Sequence, residues 1–361
     1  MQHARLLRRL CEQVDHGPAI ERLPTPPPAR GISWARWLLE TGHADKPTLR
    51  ARFDWWQRAL ITLRPALVVT EFAPTALLAA RAMRIPTAVS GGAYYTPPST
   101  VPRFEELLTS KEALLHGPVA EDGPDPDEDA IRAVINDTLG PHGLPTLARL
   151  SEVYRADVSL VRGLPLFDPY RDWRDQPLVL PLDDMPPLQG QPGDEVFIYF
   201  SNTELGDPAF CDTLRRMPFP ARLVAPNLAP RFAAELAGNP NLTIADTPLP
   251  PAEIVARSRA ILCLGQSGML SLALLAGVPV LSLPIQQEQL SNCLRASARI
   301  ESCRFVPRAQ RTADAILDAL GDLLANRDLP GVARHHARDL RRGFSESAID
   351  TYRARIAPLL A

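Results

Sequence analysis

Two short stretches of this 361-residue sequence carry residue types suited to binding chemistry. In the first, the apolar run Ile261-Leu262-Cys263-Leu264 leads straight into Gly265-Gln266-Ser267-Gly268 and then into a helix-like run from Met269 to Ala276. A strand-to-helix turn of this kind sets free backbone N–H groups and the positive end of a helix at the carboxyl edge of a parallel sheet, which suits a phosphate. Over those four residues alone, a tight turn without any ligand would look the same. In the second stretch, Glu288 and Gln289 stand side by side at a helix start, with Asn292 one turn on. A carboxylate beside an amide offers acceptors and donors to vicinal hydroxyls, although an acidic residue also suits any first helical turn.

These residues need a scaffold to hold them. From Ile261 to Ile285 the chain carries no charge over a length that could cross a bilayer, but Gly265-Gln266-Ser267-Gly268 and Gly277-Val278-Pro279 cut it into a strand, a short helix and a second strand from Val278 to Leu283. It reads as a buried βαβ unit, not as a membrane span. Val196 to Phe200, Ala221 to Ala225 and Leu242 to Ile244 add strands with helices between them, giving a doubly wound α/β domain over residues 195–361. Its closing helices, Thr312 to Leu324 and Ala333 to Leu360, are expected to pack back across both domains. Residues 183–194 have neither periodicity nor an apolar face and read as a linker. Residues 1–182 form the first domain, where a strand from Ala66 to Thr70, a helix from Pro74 to Arg84 and a strand from Pro86 to Ser90 repeat the βαβ rhythm. Helices at Ala130 to Leu139 and Leu147 to Tyr154 follow, then a strand from Asp157 to Val161.

Composition narrows the partners. Thirty-nine Lys+Arg against forty-one Asp+Glu leave a formal charge of -2, so there is no basic surplus to release counterions from a nucleic acid. Apolar residues at 45% and charged residues at 22% indicate a folded chain. The five cysteines, Cys11, Cys211, Cys263, Cys293 and Cys303, form no C-x-x-C pair and read as free thiols. Met1 to Leu10 reads as a charged amphipathic helix without the apolar stretch of a secretory signal, and the expectation is a cytoplasmic protein.

The run Leu264-Gly265-Gln266-Ser267-Gly268-Met269-Leu270-Ser271-Leu272-Ala273-Leu274-Leu275-Ala276-Gly277-Val278-Pro279, followed by Pro284-Ile285-Gln286-Gln287-Glu288-Gln289-Leu290-Ser291-Asn292-Cys293, resembles a known pattern. It is similar to the donor-binding region of UDP-glycosyltransferase-like enzymes of the GT-B fold. There a strand leads into H-G-G-x-G-T-x-x-E-A-L-x-x-G-V-P, a second strand and P-x-x-x-D-Q-x-x-N-A. Leu67-Val68-Val69-Thr70-Glu71-Phe72-Ala73-Pro74-Thr75-Ala76 looks like the family's segment with an acidic residue after a first-domain strand. The resemblance implies an α/β, GT-B-like fold in which two Rossmann-type domains face a cleft. By the same resemblance Gly265, Ser267 and Gly268 face a donor diphosphate; because Leu264 cannot donate to a phosphate oxygen, Ser201 or Asn202, after the first strand of the second domain, is expected to help. Glu288 and Gln289 hold sugar hydroxyls, braced by Asn292, and Glu71 is the acceptor-side carboxylate. The implied reaction is inverting, metal-independent transfer from a UDP- or dTDP-sugar to a small-molecule hydroxyl, with the nucleotide sugar as co-substrate and no separate cofactor. A homo-oligomer is left open.

The departures point to a second reading, a glycosyltransferase-like protein that binds a ligand or partner without turnover. Leu264 stands where the family has its diphosphate-contacting His, Met269 where it has Thr, and Leu272 where it has the ribose-binding Glu. Family members open with a strand, a Gly-rich loop and a His that serves as base, so the first domain is expected to be incomplete at its N-terminus, with apolar sheet edge exposed. Other motifs carry blander readings. His43 is expected in a solvated loop, His335-His336 on a solvent-facing helix, and Asp125-Pro126-Asp127 at a helix start and not at a metal. A Ser267, Asp314 or Asp318, His335 hydrolase fails because Met269 replaces the second glycine of G-x-S-x-G.

Overall fold

The computed structural model describes residues 11–15, 17, 23, 31–117, 127–200, 206–226, 228–245 and 247–361. The helix expected over Met1 to Leu10 lies outside these residues, as do Asp125, Ser201 and Asn202. Short apolar runs stopped by Pro, Gly or a polar residue form the strands, and longer runs with a 3.6-residue apolar stripe form the helices. In the first half these are β1 (Gly31–Ile32), α1 (Trp34–Glu40), α2 (Lys46–Leu63), β2 (Val68–Glu71), α3 (Pro74–Ala82), β3 (Thr87–Gly92), β4 (Leu108–Thr109), α4 (Ser110–Leu114), α5 (Glu128–Leu139) and β5 (Val158–Arg162). In the second half they are β6 (Glu195–Tyr199), α6 (Pro208–Arg215), β7 (Ala221–Val224), α7 (Pro230–Leu236), β8 (Leu242–Ile244), α8 (Pro251–Arg257), β9 (Ser258–Cys263), α9 (Ser267–Ala276), β10 (Val280–Ser282), α10 (Gln287–Ser297), β11 (Cys303–Phe305), α11 (Ala313–Ala325), α12 (Leu329–Arg341) and α13 (Ala348–Leu360).

Two parallel sheets organise the chain. The first is β2-β3-β5, with helices α2, α3 and α5 contributing to one buried cluster built around Phe53, Leu78 and Ile135. Among the described residues β2 is an edge of this sheet, and Val69 on it is 52% exposed. The short pair β1–β4 is antiparallel and stands apart. The second sheet runs in the order β11-β10-β9-β6-β7-β8 with every pair parallel. Its strands are buried on both faces, which is why Ile261, Leu262 and Cys263 show no alternation of apolar and polar residues.

One expected helix is absent as such. Leu150–Tyr154 forms a single 3₁₀ stretch, because Asn136 brackets Leu147 with one hydrogen bond to its N–H and one from its own amide to the carbonyl. Glu152 likewise takes the Ala148 N–H, so the backbone groups that a helix would use are spent on side chains. The segment 183–194 is irregular, yet it is pinned to the second sheet. Gln189 is buried, its N–H donates to Ala276 O and its side-chain amide donates to Val255 O and Ser258 O. Helix α13 returns to the first sheet, where Arg355 donates to Ser159 O at 2.7 Å.

Gly277, which ends α9, has φ +75°, and a Cβ there would stand 2.8 Å from Arg334 Cα on α12. Gly277→Ala should therefore destabilise the fold by roughly 1–3 kcal/mol, whereas Gly190→Ala, which meets nothing within 4 Å, should shift it by less than about 0.5 kcal/mol. Urea unfolding of the two variants checks this.

Candidate functional site

In the second sheet the order of strand addition reverses between β6 and β9, and doubly wound sheets bind ligands outside the carboxyl ends of strands at such a point. The chain leaving β9 is Leu264-Gly265-Gln266, which enters α9. Gly265 adopts φ +81°, and a Cβ on it would lie 2.5 Å from Cys293 Sγ and 3.2 Å from Gln289 O. Only glycine lets this turn seat directly against α10. Asn292 locks the contact, its Nδ2 donating to Gly265 O at 3.2 Å and to Glu288 Oε1 at 2.6 Å. Gln266, the N-cap residue, gives α9 no side-chain cap; Glu288 takes the Ser267 N–H, and the Gly268 and Met269 N–H groups are left without a partner among the described residues.

The predicted residues Gly265, Ser267, Gly268, Glu288, Gln289 and Asn292 thus lie at two adjoining helix starts. Glu288 is 8% exposed. Burial raises its carboxyl to about 7, opposed by the Asn292 amide and by the Ser267 backbone N–H directed at it. Gln289 has a structural duty that its sequence position did not reveal. Its Oε1 accepts from Ile285 N at 2.9 Å and Gln286 N at 3.2 Å, closing a reciprocal cap on α10. The three departures are core residues: Leu264 and Leu272 are buried in the clusters on the two faces of the sheet, and Met269 packs against the second of these.

Facing α10 across a cleft of about 440 Å³ is an aromatic wall. Trp34 and Trp37 on α1, Phe72 after β2, and Tyr94 and Tyr95 after β3 line one side, and Ile285, Gln286, Gln287 and Glu288 line the other. The rings interlock edge to face, with Trp34–Phe72 centroids 5.0 Å apart and Tyr94–Tyr95 centroids 5.1 Å apart. Phe72 holds φ +52°, a sparsely populated conformation for a bulky side chain, at the point where the wall is built.

Two buried polar devices position that wall. Arg174 and Asp168 form an almost fully buried ion pair, and Arg174 Nη2 also holds Ala93 O at 3.2 Å and Thr96 O at 3.1 Å, on either side of the two tyrosines. His43 ties the end of α1 to the start of α3. Its Nδ1 lies 3.1 Å from Thr41 Oγ1 and 3.2 Å from Leu38 O, and its Nε2 lies 3.3 Å from Thr75 Oγ1. The solvated loop expected for His43 is therefore corrected: it is 2% exposed, and burial drives its pKa down to about 4. The polar Gly42-His43-Ala44-Asp45 run looked like a surface turn, and only the packing of α1 on α3 buries it.

His116 was not singled out in the sequence. It lines the cleft, its imidazole donates to Ile285 O, and burial together with Arg308 and Arg311 holds its pKa down. Its Nδ1 lacks a hydrogen-bond partner among the described residues. Nothing in the local sequence marks it, because His116 reaches the second sheet only through a long excursion of the first half. Glu71 ends β2 beside Phe72 but is not among the described residues lining the cleft; its side chain lies against Gly91, φ +117°. Asp127 accepts from Asp129 and Ala130 N–H as the cap of α5, and His335 pairs with Asp339 on an exposed helix face. Asp314 pairs with Arg216 and not with His335, so no hydrolase triad assembles among these residues.

A buried neutral His43 has a pH signature of definite sign. Its folded pKa lies below the ordinary 6.5, so its contribution is intact above pH 6.5 and is lost as pH falls towards 4, by about 3 kcal/mol in all. His43→Gln should flatten that acid limb, and the difference between wild-type and variant unfolding curves at pH 7.5 and pH 4.5 isolates it from other titrating groups.

No protein-family model matches the chain, and no curated protein does either. Solved structures do. CalG4, the calicheamicin glycosyltransferase, is 19% identical with TM-score 0.62, the match covering 88% of this chain and 83% of that one. VinC, a glycosyltransferase solved in complex with dTDP, is 16% identical with TM-score 0.58, covering 90% and 81%. The spinosyn rhamnosyltransferase SpnG is 15% identical with TM-score 0.57, covering 88% and 80%. At such identities the likeness establishes architecture. Two parallel α/β units, a switch-point turn at the carboxyl edge of the second and a cleft between them give this chain the GT-B fold of these glycosyltransferases.

Proposed function

We propose that the protein transfers a sugar from a UDP- or dTDP-activated donor to a hydroxyl of a small, largely apolar acceptor, with inversion at the anomeric carbon. One observation carries the reading: a single cleft has an aromatic wall on one side and, on the other, Glu288 beside the start of α9, where the Gly268 and Met269 N–H groups are without partners among the described residues. An aromatic wall suits a flat apolar acceptor, and free N–H groups with the helix dipole suit a departing diphosphate without a metal ion. SpnG has been solved with thymidine diphosphate and with the spinosyn aglycone, ligands of the two kinds that such a cleft would take.

In this reading the diphosphate rests on the Gly268 and Met269 N–H groups, with Ser201 or Asn202, which follow β6 in the sequence, as further donors. Glu288 and Gln289 meet the sugar, Asn292 keeps Glu288 in place, and Trp37 and Phe72 hold the acceptor. Glu71, next to Phe72, is the carboxylate proposed to take the acceptor proton.

A thermal-shift titration with dTDP, UDP and GDP is the first test. A hundredfold excess over Kd adds about 2.7 kcal/mol of stability, so one nucleotide should raise the melting temperature selectively. Trp37→Ala should weaken acceptor KM at least tenfold while leaving the nucleotide response intact, and Glu71→Gln should lower kcat by roughly 10²–10⁴ if it is the base. Nucleotide binding without transfer to any apolar acceptor would favour the non-catalytic binding protein, and a flat response from folded protein would count against both.

A further inference from the structure

The Glu288 carboxylate occupies an awkward place for a diphosphate. The first backbone N–H of α9, that of Ser267, is directed at it, and Asn292 Nδ2 binds it at 2.6 Å. It is 8% exposed, and no cation forms an ion pair with it among the described residues. Tyr94 and Tyr95 from the loop after β3 and Cys293 from α10 interact with it and are held uncharged across neutral pH by burial; His116 lines the same cleft, Arg295 lies further along α10, and Arg311, paired with Asp207 and donating to Pro284 O, lies near Cys293. An anion arriving at the start of α9 therefore meets a carboxylate whose own partners, the Asn292 amide and the Ser267 N–H, are neutral. Two like charges a few ångströms apart in a partly dry site do not both stay ionised, and one of them takes a proton.

We propose that Glu288 takes up one proton when a diphosphate lands on the start of α9, and that its neutral carboxyl then donates a hydrogen bond to a phosphate oxygen. This rests on the donor-binding reading above. The proton comes from solvent, the carboxylate becomes the acid, and its O–H replaces the donors that Leu264 and Met269 cannot supply. Asn292 fits both states, since its amide donates to whichever Glu288 oxygen keeps the lone pair. Donor binding by this protein is then proton-coupled. The free carboxyl, raised to about 7, is already near the point at which uptake is easy.

The test is calorimetric titration of the full chain with dTDP and with UDP between pH 7.5 and 9, where the nucleotide's terminal phosphate, with a pKa of about 6, is fully ionised. Each titration is repeated in buffers of different ionisation enthalpy. Expected for wild type is an uptake approaching one proton per nucleotide and an affinity that falls up to about tenfold per pH unit. Glu288→Gln, which keeps a donor and removes the charge, should bind without uptake and at least tenfold more tightly than wild type at pH 8.5. Nucleotide binding with no proton uptake and a flat pH profile in the wild type would overturn the proposal while leaving the donor-binding reading standing. The same slope in Glu288→Gln would overturn it equally. Failure of both proteins to bind any nucleotide at pH 7.5 would sink the reading and the proposal together. If Glu288→Gln does not fold, the wild-type buffer series decides alone.

Discussion

The candidate site depends on the close approach of two helix starts across one glycine. Gly265 turns the chain out of β9 with a left-handed backbone and lies so near α10 that a methyl group would collide with Cys293 Sγ. That contact lets a single side chain, Asn292, hold both the Gly265 carbonyl and the Glu288 carboxylate. Were the turn a residue looser, the starts of α9 and α10 would part and the N–H groups and the carboxylate would address different volumes. Helix-start electrostatics falls off within a turn, so this proximity decides whether the two act on one ligand.

The opposite wall is held by quite different means. Aromatic rings supply area and shape, but their placement comes from buried polar groups behind them, Arg174 with Asp168 under the tyrosine loop and His43 between α1 and α3. A buried ion pair adds little net stability over a well-packed apolar core, but its directional bonds fix a loop in one position. The side of the cleft at α9 and α10 is built largely from backbone and the aromatic side from side chains. Changes in the wall can therefore retune what it grips without disturbing the parallel sheet.

The positions at which this chain departs from the glycosyltransferase pattern have a common physical outcome. Leu264, Met269 and Leu272 face or pack against the cores on the two sides of the second sheet, so apolar burial has replaced polar reach at the site's edge. Each buried Leu contributes about 1.5–3 kcal/mol of transfer free energy, which strengthens the scaffold beneath the turn. What remains polar at the turn is backbone N–H and the buried Glu288 carboxyl.

Much of the second half was legible from sequence alone because its physics is local. Uninterrupted apolar runs between glycine and proline mark strands buried on both faces, and Gly265 and Gly277 sit where the backbone needs a positive φ. Pattern and spacing therefore give the βαβ rhythm, the turn and the pairing of Glu288 with Asn292 one helical turn on. Tertiary structure decided whatever depends on partners distant in sequence. It turned Gln289 towards capping α10, made a 3₁₀ stretch where a helix was expected, buried His43 and carried His116 across to Ile285. It also gathered Trp34, Trp37, Phe72, Tyr94 and Tyr95 from three separate segments into one wall. Local spacing encodes turns and helix faces, whereas burial and the pKa values that follow from it are set by what packs against a residue, and that is fixed only when the whole chain has folded.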